Sequence, residues 1–371
     1  MDAVSETNPT LAKLTPLANV LALIDGDVEP VAPRNVEAGE ALQRVLAADV
    51  VVAALPRQAL ALIDGWALAA QTTLDAGGYA PAPLPSAPVR IEAGQPMPVG
   101  CDCVAPFDAV KVSGDRAEAL AVVNPGDGVL PPGGDSDGKL PLRRAGDKLR
   151  AIDLAVLAAA GISELSVCAP RVHVLALRDD AIIASAARLI AVDAARRGGE
   201  ILQGNVDMNA ALAEGGTDLV VIVGGTGSGR NDNSVARLSR AGRLAVHGIG
   251  LTPGESAAFG FAGTRPVLLL PGRLDAAVAV WLTLGRRLLH RLAGGRTFDD
   301  PAETLTLARK LVSTVGLAEL IPVRRSGDAV EPLASKYLPF SALGRADGWV
   351  LVPPESEGYS AGARVSVRPW P

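Results

Sequence analysis

Cysteine, histidine and lysine are all scarce in this chain of 371 residues, which has three cysteines, three histidines and six lysines among its 35 basic residues. Cys101, Cys103 and Cys168 are too few to build a disulfide framework. The Cys101-Asp102-Cys103 spacing does not suit a zinc knuckle, and His173, His247 and His290 lie far apart, so a structural metal site is not expected. Long apolar runs are also missing. A stretch such as Ala276–Leu284 falls well short of the roughly 20 residues that a membrane span requires. The segment Met1–Glu6 carries acid and no basic region followed by an apolar one, so no secretory signal is expected and the cytoplasm is the expected compartment. A formal net charge of -5 argues against a general nucleic-acid partner, which would require a basic surface.

What the chain does hold is 49% hydrophobic and 20% charged residues, the balance of a globular protein, and its length predicts two or more domains. It is organised around the stretch from Leu219 to Asp232. The uninterrupted run Leu219-Val220-Val221-Ile222-Val223 predicts a strand buried on both faces of a parallel sheet. Gly224-Gly225-Thr226-Gly227-Ser228-Gly229 follows, and its glycines free the backbone to turn sharply and aim N–H groups at an anion. Ligands of open α/β sheets bind at the carboxyl ends of the strands, where this loop falls, and Asp232 and Ser234 stand where the next helix opens. The loop is neither a Walker motif nor a good dinucleotide fingerprint. A glycine-rich turn with no ligand is the alternative.

Around this stretch the pattern predicts a multidomain α/β chain. Residues 1–49 with 138–170 read as a helical frame, with helices over Pro16–Ile24, Ala38–Ala48 and Asp153–Ala160. Residues 50–137, rich in proline and short β-type runs such as Val89–Ile91 and Val110–Val112, read as an inserted, mostly β lobe. Residues 171–297 alternate strand and helix as a doubly wound domain: strand Val172–Leu177, helix Ala181–Arg197, a helix around Asp207–Glu214, the glycine-loop strand, strand Val267–Leu270 and helix Leu274–Ala293. Residues 298–371 predict a small C-terminal β-barrel or sandwich.

Several separated segments share one order with a known family. These are Leu55-Pro56-Arg57 to Asp64-Gly65-Trp66-Ala67, Ile91-Glu92-Ala93-Gly94 to Asp102, the glycine loop with Asp232, Thr252-Pro253-Gly254, Leu270-Pro271-Gly272, and Asp347-Gly348-Trp349 to Val365. Together they resemble the molybdopterin molybdenumtransferase family, the MoeA and gephyrin E-domain type, over nearly the whole chain. The resemblance implies a homodimer of four-part subunits in which the doubly wound domain binds the pterin opposite the partner subunit's inserted lobe. It implies a reaction of adenylylated molybdopterin with molybdate, assisted by Mg²⁺, and dealings with other cofactor-biosynthesis proteins or a molybdoenzyme.

Such substrates are anionic, so the site needs backbone N–H groups, cations, and carboxylates for magnesium. The resemblance assigns catalysis to Asp64, Asp180 and Asp232, and metal binding to Asp179, Asp180 and Asp232. It assigns pterin contact to Gly224, Gly225, Thr226, Gly227, Ser228, Gly229, Pro253, Gly254, Pro271 and Gly272. For each aspartate the plain alternative is a turn or a helix cap. The chain departs from the family where Ala93 stands for its threonine, Thr252 and Glu255 for its lysines, and Arg273-Leu274 for its Asn-Pro. Two ammonium groups are gone and a carboxylate has arrived, which weakens an oxyanion pocket unless Arg230, Arg265 or Arg273 fills it. Molybdenum insertion is therefore the leading expectation. A weakened enzyme acting as a pterin carrier comes second, and a protein for an unrelated nucleotide third.

Overall fold

The computed structural model describes residues 8, 11, 13–202, 207–213, 215–296 and 301–371. They fall into two compact units: residues 49–144 with 159–161, and the rest.

The larger unit is built on a six-stranded sheet. Its elements in chain order are β1 (Arg171–Ala176), α1 (Ala181–Arg196), β2 (Glu200–Ile201), α2 (Met208–Ala213), β3 (Leu219–Val223), α3 (Ser234–Ala241), β4 (Arg243–His247), β5 (Ala258–Ala262), β6 (Arg265–Leu270) and α4 (Leu274–Val280). A π-helical turn, Trp281–Gly285, continues α4 into α5 (Arg286–Leu292). The helix expected around Asp207–Glu214 is α2; Glu214 itself lies outside the described residues. Strand order is β2-β1-β3-β6-β5-β4, the first four parallel and the last two antiparallel.

Strand β3 lies inside the sheet and every residue of it is buried. Successive side chains of a strand point to opposite faces. Leu219, Val221 and Val223 therefore join one core with Ile183 and Ile190 of α1 and Trp281, whereas Val220 and Ile222 join a second core with Met208, Leu212, Val235 and Leu238. An uninterrupted apolar run is what helices on both faces require, and each such side chain contributes roughly 1.5–3 kcal/mol on burial. Asp193 of α1 ties this layer to the α4–α5 arm. It accepts from Trp281 Nε1 at 2.8 Å, and from Arg286 Nε and NH2 at 2.9 Å each.

Five strands form the closed C-terminal barrel: Glu303–Leu307, Ala318–Ser326, Ala329–Pro332, Gly348–Val352 and Arg364–Pro369. Its interior holds Leu305, Ile321, Val323, Val350, Val365 and others in a core of its own. Between β4 and β5 the chain leaves the α/β layer as the strand Ile249–Thr252, which pairs in parallel with Ala318–Ser326 and sets Thr252 beside Glu319. That pairing places the following loop, from Pro253 on, between the α/β layer and the barrel.

The N-terminal frame differs from its expected form. A helix over Leu17–Asp27 is present, and Asp25 pairs with Arg287 of α5 through two 2.7 Å bonds. The segment expected to be helical at Ala38–Ala48 instead makes one 3₁₀ turn and a strand, Val45–Leu46. Gln43 takes a positive φ of 64° there, and Val45–Leu46 pairs with Glu164–Cys168, which also pairs with Arg34–Glu37. Ladder bonds to a distant strand override an apolar spacing that fits a helix. Helix Ala151–Ala159 completes this region.

The smaller unit is mostly β. One three-stranded sheet joins Val89–Ile91, Gly65–Leu68 and Cys103–Ala105, and another joins Ala82–Pro83, Arg116–Ala119 and Val110–Ser113. Among the described residues no helix is long and apolar enough to cross a membrane.

Candidate functional site

Three turns meet at the carboxyl ends of β1, β3 and β6, in keeping with the crevice rule for open α/β sheets. Leu177-Arg178-Asp179-Asp180 follows β1, the glycine loop follows β3, and Pro271-Gly272-Arg273 follows β6. They are packed closely: a Cβ at Gly272 would lie 3.6 Å from Gly224 Cα. A Cβ at Gly225, whose φ is 73°, would lie 2.3 Å from Leu177 Cδ2. That positive φ favours glycine at the position. Pro253 and Gly254, both buried, begin a fourth turn, and Ser256 Oγ in it lies 3.0 Å from Thr226 Oγ1. The structure thus brings the turns that carry Gly224–Gly229, Pro253, Gly254, Pro271 and Gly272 close to one another.

The loop is held from below. Asn8 is 7% exposed and donates from Nδ2 to the carbonyls of Gly225 at 2.7 Å and Gly227 at 2.8 Å. Its Oδ1 accepts from Val235 N and Ala236 N at the start of α3, at 3.1 and 3.2 Å. Ser234 Oγ donates to the Gly225 carbonyl at 2.7 Å. The N–H group of Ser234 is satisfied by the Gly225 carbonyl and those of Val235 and Ala236 by Asn8, so the anion-facing donors must come from the glycine loop. His247 packs behind Thr226; its burial lowers its pKa, and a hydrogen bond with the Thr226 backbone opposes that shift.

The aspartates have separate duties. Asp232 Oδ2 accepts from Gly229 N at 3.2 Å, and its Oδ1 from Arg178 NH2 at 3.3 Å. It therefore shapes the glycine loop and brings an arginine to its edge. Asp180 is the N-cap of α1, its Oδ1 accepting from Ile182 N and Ile183 N at 2.9 and 3.1 Å. Asp179 is exposed beside it. The expected magnesium set of Asp179, Asp180 and Asp232 is not assembled. Among the described residues no three His, Cys, Asp or Glu side chains group to hold a metal ion. Asp180 is turned onto a helix end and Asp232 onto the loop and Arg178, so these residues do not fit a protein-built magnesium site. Asp64 belongs to the smaller unit, where it is exposed and its Oδ1 accepts from Ala93 N at 2.8 Å. Pairing of Gly65 with Ile91 brings the Asp64 and Ala93-Gly94 segments together there.

The comparisons with known proteins fit this arrangement. Residues 15–161 match the family model described as "MoeA N-terminal region (domain I and II)", and residues 183–291 the one described as "Probable molybdopterin binding domain". The chain belongs to the MoeA-type family of molybdenum cofactor biosynthesis. It is 26% identical over 340 residues to molybdopterin molybdenumtransferase 1 of Mycobacterium tuberculosis, covering 80% of this chain and 77% of that protein. A Methanocaldococcus jannaschii protein named for molybdopterin biosynthesis is 25% identical over 384 residues, covering 90% and 91%. In fold the chain is similar to a molybdopterin biosynthesis MoeA protein of Pyrococcus horikoshii, with TM-score 0.76 at 23% identity, covering 97% of this chain and all of that one. A molybdenum cofactor biosynthesis protein of Pyrococcus furiosus gives TM-score 0.57 at 20% identity.

In this MoeA-type protein the arginines near these turns have other partners or other places. Arg265 stands at the start of β6, and its NH1 donates to Thr217 and its NH2 to the carbonyls of Ala211 and Leu212. It lies a strand's length from the glycine loop, roughly 18 Å for six residues, and cannot replace a lysine there. Arg273 is tied to Asp275 through bonds of 3.1 and 2.5 Å and lies 5.3 Å over the Tyr337 ring. The Asp275 carboxylate holds its guanidinium above the usual pKa. Glu255 turns back on its own loop, where its Oε2 accepts from Gly254 N at 3.0 Å. Arg230 is exposed on the glycine loop. Sequence reasoning missed three residues. Asn8 and Arg178 hold the loop, and Tyr337 brings its ring under Arg273. The extra basic residue after β1 could have marked Arg178; no local signal marks Asn8.

Proposed function

We propose that the glycine loop binds adenylylated molybdopterin by its phosphates and that the chain passes molybdenum from molybdate to the dithiolene slowly. The observation that supports this most is the convergence of the Gly224–Gly229, Gly254 and Gly272 turns on one crevice at the end of β3. Backbone N–H groups there suit a phosphoanhydride, and Arg178, held at the edge by Asp232, suits its charge. Molybdate is the weaker part, because Thr252 and Glu255 stand where the family carries lysines and the guanidinium of Arg273 is already engaged. Magnesium belongs to this reading only as an ion carried on the substrate's phosphates. Asp64 acts from the inserted lobe of a partner subunit, so the working form is a cytoplasmic homodimer; the exposed Leu62 and Ile63 beside Asp64 suit a face covered in such a dimer.

Titration calorimetry with molybdopterin and its adenylylated form, with and without molybdate, tests the reading. Tight binding of the pterin with weak dependence on molybdate is expected; no binding of either pterin would refute it. The engaged arginines and Glu255 favour a second reading, a pterin carrier that serves a molybdoenzyme, which would bind molybdopterin equally well and insert no molybdenum at any molybdate concentration.

A further inference from the structure

We infer that Asn8 is a positioning residue for the ligand site: it turns the Gly227 carbonyl inward and so presents the N–H group of the exposed Ser228 to an anion. The inference rests on the reading that the glycine loop is the pterin phosphate site. The geometry follows from the peptide group. In a trans peptide the carbonyl of one residue and the N–H of the next point in opposite directions, and the bond in question is not cis. Asn8 Nδ2 shares the Gly225 carbonyl, at 2.7 Å, with Ser234 N and Oγ, and holds the Gly227 carbonyl at 2.8 Å, so the N–H group of Ser228 leaves on the far side of the loop.

An amide is the one side chain suited to this place. Asn8 must donate twice to loop carbonyls and accept twice from the α3 N–H groups, which uses both ends of a carboxamide. Its own N–H also donates to the Asp232 carbonyl at 3.2 Å, so the clasp reaches the residue that holds the other side of the loop. Aspartate at this position would still accept from α3, and its charge would suit a helix N-terminus, but it would set lone pairs against the carbonyls of Gly225 and Gly227. Alanine would lose both sets of bonds. The two variants therefore separate anchoring of the helix from orientation of the loop.

The experiment uses the whole protein and molybdopterin, held anaerobically, as the probe. Asn8→Asp, which keeps the α3 bonds, should melt within about 5 °C of the parent yet bind molybdopterin at least about tenfold more weakly, while Asn8→Ala loses more stability as well as affinity. Parental affinity in Asn8→Asp would overturn the inference. Gly227→Val tests the underlying reading, because a Cβ there would lie 2.7 Å from Asp232 Oδ2. Should that variant bind as the parent does, the site itself is elsewhere; should it lose binding while Asn8→Asp keeps it, the clasp alone is wrong. Amide exchange on the parent needs no variant. Molybdopterin should slow exchange at the exposed Ser228, and unchanged exchange there would also overturn the inference.

Discussion

Replacing Glu255 with lysine is the sharpest test of the electrostatic argument. Glu255 adjoins Ser256, whose hydroxyl meets Thr226 of the glycine loop at 3.0 Å, and its negative charge acts on Arg273. An anion bound in the crevice would then lie on the order of 8 Å away. With an effective dielectric constant of about 40 at this half-buried position, each unit of charge is worth about 1 kcal/mol. Charge reversal changes the site by two units, or about 2 kcal/mol per unit charge on the ligand, roughly a thirtyfold gain in affinity. The lost bond to Gly254 N lowers folded stability by about 1 kcal/mol without cancelling the gain. The second lost lysine should not be restored in the same variant. Thr252 is 8% exposed and sits beside Glu319 in the ladder, so a lysine there would bury an ammonium group. The assay is molybdenum incorporated per subunit against molybdate concentration, for the parent, Glu255→Gln and Glu255→Lys, at two ionic strengths. Glu255→Gln should give about half the logarithmic gain. Both gains should shrink with salt, since the screening length falls from about 10 Å at 0.1 M to about 3 Å at 1 M. A change under twofold for Glu255→Lys, or a gain indifferent to salt, would refute the reasoning.

Asp180→Ala should lower the melting temperature by about 2–4 °C through loss of the α1 cap, and Asp180→Ser should restore it. If the serine variant is stable but inserts no molybdenum, Asp180 has a chemical role beyond the cap. Asp193→Ala should cost about 3–5 kcal/mol in denaturant unfolding, because it strands Arg286, 2% exposed, without this carboxylate. In the parent, burial works to raise the Asp193 carboxyl, but the bond and charge of Arg286, with Arg197 and Trp281, outweigh it and hold the pKa below its ordinary value. A carboxylate depressed in the folded state contributes stability that is present above its unfolded pKa near 4 and lost as pH falls through the folded one. The parent's stability should therefore drop below about pH 4, and Asp193→Asn should flatten that limb. Light scattering at micromolar concentration should give twice the chain mass; a monomer there counts against a site completed by a partner's lobe.

The sequence alone determined the elements whose burial repeats along the chain. In β3 the two-residue period with both faces covered writes itself as Leu219–Val223 without interruption, and the glycines that follow announce a sharp turn, with positive φ at Gly224 and Gly225. The family order of Asp64-Gly65, Ala93-Gly94, Thr252-Pro253-Gly254 and Pro271-Gly272 was legible for the same reason, since each segment is short and contiguous. Tertiary structure decided what depends on partners far away in the chain. Ala38–Ala48 has apolar spacing that fits a helix, yet Val45–Leu46 joins a ladder with Glu164–Cys168, because hydrogen bonds to a distant strand outweigh a weak local preference. Asp180 reads equally well as a metal ligand or a cap, and only the orientation of α1 shows it capping. Arg265 and Arg273 read as spare cations until their distances to Thr217 and Asp275 are known. Asn8 lies 217 residues from the Gly225 carbonyl it holds, and one polar residue among many carries no periodic mark; its role exists only because the fold brings its amide under the loop.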